Sequence, residues 1–343
     1  MKAITIVGGG LSGLTLGIGL RRRGVPVTIH EAGHYPRHRV CGEFISGRGL
    51  ESLKRLGIWS LLEKLNARSA SSVAFQHQGR SFPPRQLPKA AVCVSRFHLD
   101  FALAEEFRRL DGELRTGARW TQTFDAEGLV RGTGRRVHGS QSGWHWYGVK
   151  AHARNLALNA DLEMCFFPHS YIGLCRLPDE EVNVCGLFRR RRGDKAPPGF
   201  LPDLVSAADD CLSERLSRAA WDADSICSVG GLPFSEEAGG RPRECSIGDA
   251  FGFIPPLTGN GMSIAFESAE IATEPIVRFA SGTETWERAR AKIAAELRNR
   301  FKRRLQRAGW LQWAVFNPLF RRLVLPALAG PRWSLAAAFW ATR

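Results

Sequence analysis

Residues Ile4 to Glu31 read ITIVGGGLSGLTLGIGLRRRGVPVTIHE, and their order decides the fold. An apolar strand runs into the glycine turn Gly8-Gly9-Gly10-Leu11-Ser12-Gly13, a helical run follows, and a second apolar strand ends on an acid. This is the pattern of a dinucleotide-binding βαβ unit. Gly8 permits the tight turn, Gly10 the close approach of a pyrophosphate, and Gly13 the packing of helix on strand. Leu11 and Ser12 open the helix, whose free N–H groups and partial positive charge face the phosphates. Glu31 stands 21 positions beyond Gly10, where an acid accepts hydrogen bonds from ribose hydroxyls. The unit alone leaves FAD and NAD open.

A second glycine cluster favours FAD. Cys245-Ser246-Ile247-Gly248-Asp249-Ala250 ends a short strand, and Pro255-Pro256-Leu257-Thr258-Gly259-Asn260-Gly261-Met262 leads into a helix. Asp249 suits the ribityl hydroxyls that a flavin carries. The Gly259, Asn260, Gly261 and Met262 backbone can lie against an isoalloxazine ring, with Pro256 shaping the turn. The helix beginning near Met262 would aim its positive end at the pyrimidine edge, where negative charge collects on reduction. The competing reading of this stretch is an ordinary loop.

The pairing of GGGLSGL with GDAFGFIPPLTGNGM resembles the FAD-dependent group that holds aromatic hydroxylases and geranylgeranyl reductases. Arg39-Val40-Cys41-Gly42-Glu43 resembles the loop after the second strand in the reductases, and Ser95-Arg96-Phe97-His98-Leu99-Asp100 resembles a helix start where an arginine reaches FAD. The resemblance spans roughly residues 1 to 282. It implies a glutathione-reductase-like, hydroxylase-type Rossmann domain, Arg39 and Arg96 lining the cofactor, and Cys41 close to the flavin. The hydroxylases' mid-chain Asp-Gly pair has only Gly132-Thr133-Gly134-Arg135-Arg136 as its counterpart, without the acid. The reductases' Phe-Pro signature is matched in part by Cys165-Phe166-Phe167-Pro168. No second strand-linked GxGxxG occurs, so NAD(P)H is expected as a transient electron donor.

The 343 residues, 44% apolar, can bury a large core. Eight cysteines without a CxxC pair argue against a metal site, and the lack of a secretory signal argues for reduced thiols in the cytoplasm. The expected architecture is α/β: a discontinuous FAD-binding domain (1–70, 90–140, 240–282), a mixed-sheet substrate domain (71–89, 141–239) and a helical C-terminal segment (283–343). A helix is expected over 51–66 and another over 98–110. Strands are expected at 72–77, 144–151, 162–167, 171–177 and 182–188, a turn at Pro83, Pro84 and Pro88, and a solvated loop at 189–195.

The sheet is assigned to the substrate side, with Trp144, Trp146, Phe166 and Tyr171 as pocket wall, although aromatics filling a core read the same way. Lys150 and His152 share a strand face with the tryptophans and could donate a proton to a substrate oxygen. With Cys41 they are the catalytic candidates.

The net charge of +15 is concentrated at one end. From Phe301 to Arg343 there is no acid, and eight basic residues (Lys302, Arg303, Arg304, Arg307, Arg321, Arg322, Arg332, Arg343) alternate with Trp310, Trp313, Phe316, Phe320, Leu323, Trp333 and Trp340. Cations facing anionic headgroups, with aromatics at the acyl boundary, suit a peripheral place on the inner face of a membrane. Pro318, Pro326 and Pro331 are expected to divide the segment. Packing on the FAD domain is the alternative, and nucleic acid is not expected as a partner. The activity expected first is a monooxygenase that uses NAD(P)H and oxygen to hydroxylate or epoxidise a lipophilic aromatic, polyketide or isoprenoid. The alternatives are a reductase saturating a carbon–carbon double bond of an isoprenoid or polyene, and a flavin-binding module without turnover.

Overall fold

The structure is a computed structural model that describes residues 1–77, 80–135, 143–191, 193, 210–232, 234, 241, 243–329 and 332–343, without the side chains of 210, 211, 328, 329 and 332–334. Arg136, most of the segment after Arg191, Pro331 and the side chains of Arg332 and Trp333 lie outside this description.

In chain order the strands are β1 (Ile4–Val7), β2 (Val27–His30), β3 (Phe44–Ile45), β4 (Arg68–His77), β5 (Arg80–Ser81), β6 (Arg85–Cys93), β7 (Glu113–Arg115), β8 (Leu129–Arg131), β9 (Trp144–Arg154), β10 (Leu162–Phe166), β11 (Ser170–Arg176), β12 (Val182–Arg191), β13 (Ala220–Gly230) and β14 (Cys245–Ser246). The helices are α1 (Leu11–Arg21), α2 (Arg48–Arg55), α3 (Trp59–Lys64), α4 (Arg96–Arg109), α5 (Asp210–Ser217), α6 (Gly261–Ala280), α7 (Trp286–Phe316), α8 (Pro318–Ala329) and α9 (Arg332–Ala341).

Two sheets organise the chain. The first has the order β14-β8-β1-β2-β7 and is parallel throughout. Its face carrying Ile4, Ile6 and Ile29 is buried against α1, while Thr5, Thr28 and His30 on the other face are half-buried. The second runs β13-β9-β12-β11-β10-β4-β6-β3, with β5 on β4, and only its β10–β4 pair is parallel. Its small edge strand β3 comes from the loop after β2, so the Cys41–Glu43 segment is carried to the junction of the two sheets.

Four local expectations are corrected. The helix over 51–66 is two helices, because Gly57 takes φ +71° and stops α2. Pro88 lies inside β6, in the stretch where the register against β4 shifts, a place that tolerates a missing donor. The expected loop at 189–195 is strand as far as Arg191, paired to Trp144. Pro326 sits within α8 and does not divide it.

The C-terminal helices are part of the core. Phe301 and Ala308 on α7 join the cluster under α1 and α6, while Val315, Phe316, Leu325 and Leu335 cover one face of the second sheet. Among the described residues no helix is long and apolar enough to cross a membrane.

Candidate functional site

The glycine turn is built for close packing on one side and open on the other. A Cβ on Gly13 would overlap the carbonyl oxygen of Gly8, and one on Gly8, at φ +108°, would overlap Gly132. Nothing lies within 4 Å of a Cβ on Gly10. The N-terminus of α1 has no side-chain cap, although Leu11 and Ser12 are buried, so its first amides point unmet toward that opening.

Glu31 is more engaged than the sequence implied. Its Oε2 accepts from the Gly9 amide at 2.8 Å, and its Oε1 accepts from the Gly33 amide at 2.8 Å and pairs with Arg37 at 2.7 Å. Burial alone would raise this carboxyl; the Gly33 amide and Arg37 outweigh it and hold the group below its ordinary range. Tyr35 donates from its hydroxyl to the Gly9 carbonyl and braces the turn.

Unmet cationic donors mark the path beyond. The Nε atoms of Arg37, Arg39 and Arg135 are buried without a hydrogen-bond partner. Burial lowers the pKa of Arg39, and the neighbouring charges of Arg37 and Arg96 lower it further. Asp249 has its pKa pushed up by burial to about 6, against the pull of Arg135 and Arg96. Uncapped helix amides, orphaned guanidinium nitrogens and an unpaired carboxyl along one route fit the diphosphate and ribityl chain of FAD. Arg96 itself is taken up by Asp100, to which it donates from Nε and Nη2 at 2.7 Å each.

The raised Asp249 gives a pH signature. A half-buried acid shifted from 3.8 to about 6 binds its proton more tightly folded than unfolded, so stability of the ligand-free protein falls as pH rises through that interval. Denaturation midpoints at pH 4.5 and 7 should show this decline, and Asp249→Asn should lessen it.

At the far end, Gly259 takes φ +62° and its missing Cβ leaves room for the ring of Phe44. Gly261 begins α6, which lacks a side-chain cap, and Met262 is buried in its first turn. Asn260, fully buried, donates from Nδ2 to the Thr342 carbonyl, and Pro256 is on the surface. Gly259 thus packs on Phe44, Met262 joins the core, and Asn260 is tied to the C-terminal helix.

Between these ends lies a buried ionic network that converges on Glu43, a residue the sequence reading quoted without assigning it a role. Glu43 sits at φ +58°. Its Oε2 lies 2.6 Å from His152 Nε2, and its Oε1 accepts from the Arg96 amide at 2.9 Å and lies 3.3 Å from Lys150 Nζ. His152 Nδ1 is 3.0 Å from Glu181, and Lys150 Nζ is 3.0 Å from His38 Nδ1. Burial would raise Glu43 and lower His152; their mutual hydrogen bond, with Lys150 beside Glu43 and Glu181 on His152, reverses both directions, so Glu43 is held low and His152 high. His38, beside Lys150 and His152, is brought down to about 4 by burial and those two charges.

The three catalytic candidates therefore meet. Lys150 and His152 come from β9, and the Cys41 carbonyl accepts from Asn183 on β12 at 2.9 Å. Burial pushes the Cys41 thiol up, so it is a proton-bearing thiol rather than a thiolate. His152, Glu181 and Asp222 have oxygen and nitrogen atoms within 4.8 Å of one another. His152 meets Glu43 through Nε2 and Glu181 through Nδ1.

The aromatic wall is differently built from the expectation. Phe166 and Tyr171 are buried, and Phe316 stacks obliquely against Tyr171 at 5.9 Å and edge-on to Trp146 at 4.7 Å. The C-terminal segment thus supplies part of the wall. Trp144 packs on His169, and Arg189 lies over Trp144, Trp146 and Phe316 together. The Tyr171 hydroxyl is buried without a partner in this apolar face.

The β1-α1-β2 unit and the parallel sheet have the arrangement of a dinucleotide-binding fold. Residues 1–161 match the family model described as FAD binding domain. The fold is similar to a flavoprotein/dehydrogenase from Cytophaga hutchinsonii (TM-score 0.76, 13% identity, 99% of this chain and 93% of that one) and to p-nitrophenol 4-monooxygenase from Pseudomonas putida DLL-E4 (TM-score 0.75, 13% identity, 99% and 98%). A flavin-dependent brominase is also similar (TM-score 0.74, 15% identity, 99% and 95%). Among curated proteins, conditioned medium factor receptor 1 of Dictyostelium discoideum is 22% identical over 80% of this chain, which spans 63% of that relative's length. Residues 1–161 therefore match an FAD binding domain model, and the chain has the same fold as these flavin-dependent enzymes.

Proposed function

We propose that the chain is an FAD-dependent monooxygenase that uses NAD(P)H and oxygen to hydroxylate or epoxidise a lipophilic aromatic, polyketide or isoprenoid substrate. The observation that carries this reading is the continuity of the route. Unmet donors at α1, Arg39 and Arg135 lead past Asp249 to a charged network beneath an apolar sheet face. The monooxygenase and brominase among its structural neighbours support it.

When bound, FAD supplies two-electron transfer from the nicotinamide and activation of oxygen. Arg39, Arg135 and the α1 amides would hold its diphosphate. The Glu43–His152–Lys150 network keeps a proton available beside Cys41, and the low dielectric around it strengthens each of those contacts. Trp146, Phe166 and Phe316 exclude water, and the Tyr171 hydroxyl is the polar group available to orient a substrate oxygen.

One observation favours a carbon–carbon double-bond reductase instead. A protonated His152 and a thiol-bearing Cys41 near the site are proton donors of the kind that saturation of an alkene requires. Anaerobic incubation with NAD(P)H and a panel of lipophilic phenols and polyprenyl compounds, followed by admission of air, separates the readings. A product carrying one added oxygen, formed only with air, is the expected result. A product gaining two hydrogens without air assigns the reductase, and no acceleration of NAD(P)H oxidation assigns a non-catalytic flavin module.

We also propose that the C-terminal helices rest on an anionic membrane. Trp310, Trp313, Leu319, Leu323 and Trp340 are each at least half exposed, on helices rich in arginine. Because Phe301, Val315 and Phe316 belong to the cores, removing residues after Arg300 would damage the fold; point variants test the idea cleanly. Trp310→Ala, Trp313→Ala and Leu323→Ala combined should leave the melting temperature nearly unchanged and reduce sedimentation with phosphatidylserine vesicles severalfold. Unchanged sedimentation would reject the proposal.

A further inference from the structure

The first turn of α2, the middle of α7 and the end of α9 line an open cleft of about 360 Å³, a size within the range of small-molecule sites. Its lining is almost wholly cationic: Arg48, Arg300, Arg303, Arg304, Arg307 and Arg343, with Asn299 and Glu296. Glu267 beneath it binds Arg304 at 2.8 and 2.9 Å and lies 3.9 Å from Arg300. Six guanidinium groups thus crowd one concavity, with Glu296 in its lining and Glu267 beneath it.

Arg304 is only 4% exposed, and its Nε has no partner. Arg343 donates from Nε to Ser46 Oγ at 2.9 Å, and burial together with the Arg304 charge brings its pKa down to about 9. Arg48 and Arg303 make no ion pair among the described residues. Like charges crowded in this way oppose folding unless an anion offsets them. On α7 the spacing of Arg303, Arg307, Trp310 and Trp313 places all four along one stripe, and Trp310 and Trp313 are 57% and 50% exposed. The cation-lined cavity therefore continues into an apolar strip on the same helix.

We infer that this cavity binds the phosphate or diphosphate head of an amphiphile whose apolar part lies along Trp310 and Trp313. Planar guanidinium groups match phosphate oxygens in pairs, and several on converging helices give the multidentate grip that one surface lysine cannot. The inference stands independently of the flavin reading.

The test uses full-length protein saturated with FAD, so that the diphosphate-binding turn at α1 is filled, and titrates inorganic pyrophosphate calorimetrically. Saturable binding of one equivalent is expected. Binding should weaken at least about tenfold when Arg48, Arg303 and Arg307 are all replaced by alanine, and should be unchanged in Arg298→Ala, an exposed α7 arginine outside the cavity. Dodecyl phosphate should bind more tightly than ethyl phosphate, a gain reduced by Trp310→Ala. Vesicles containing phosphatidic acid identify the source of the head: displacement by pyrophosphate assigns a membrane lipid, and binding of pyrophosphate without displacement assigns a soluble phosphorylated amphiphile. No saturable pyrophosphate binding, or equal loss in the triple variant and Arg298→Ala, overturns the inference.

Discussion

Replacing Glu43 by glutamine is expected to destabilise the protein by about 3 kcal/mol, the scale of breaking a buried ion pair by removing one partner. The carboxylate lies at 0% exposure between a lysine at 0% and a histidine at 2%, so the two cations it serves cannot turn to water. His152 keeps Glu181 and can shed its proton, which moderates the loss; among the described residues Lys150 keeps His38 alone within hydrogen-bonding reach. The pH dependence follows from the two directions. Glu43, held low, contributes stability that disappears as pH falls through its folded pKa, and His152, held high, contributes stability that disappears as pH rises through its own. Wild-type stability attributable to the pair should peak in mildly acidic solution, and Glu43→Gln should flatten that peak. Urea denaturation across pH 4 to 9 measures both effects. A variant as stable as the wild type at pH 6 would show that the network is not what holds β9 to the Cys41 loop.

A contrast between two glycines is expected to be nearly as large. Gly13→Ala should unfold or severely destabilise the protein, because its Cβ would meet the backbone oxygen of Gly8, which has no rotamer by which to yield. Gly10→Ala should fold normally, since nothing lies within 4 Å of its Cβ, yet bind FAD at least about tenfold more weakly, the effect of overpacking by about 1–3 kcal/mol in the bound state alone. Melting temperature and FAD dissociation constant, measured on both variants, separate structural glycine from ligand-facing glycine. If Gly10→Ala retained wild-type affinity, the opening at the N-terminus of α1 would not be the diphosphate site.

The parts of this protein that sequence reveals are those whose cause is local. The β1-α1-β2 unit follows from apolar periodicity and three glycines within ten residues of one another, and both glycine turns stand where those residues imply. The role of Glu43 is not local: its partners come from β9 and the start of α4, more than fifty residues away, and only the two-residue strand β3 brings them together. Arg37 was legible only as one arginine among many, because its meaning depends on Glu31 folding back onto Gly9 and Gly33. The C-terminal helices show the same limit. Their composition displays the exposed tryptophans and arginines, but not that Phe316 and Leu335 would insert into the second sheet, which depends on where that sheet presents a face.

The most direct test of the central claim is a fluorescence and absorbance titration of FAD onto purified, folded protein. One equivalent bound per chain, with a dissociation constant that weakens at least about tenfold in Arg39→Ala and in Arg135→Ala, is the predicted result. A folded protein that remains colourless after incubation with excess FAD would contradict it.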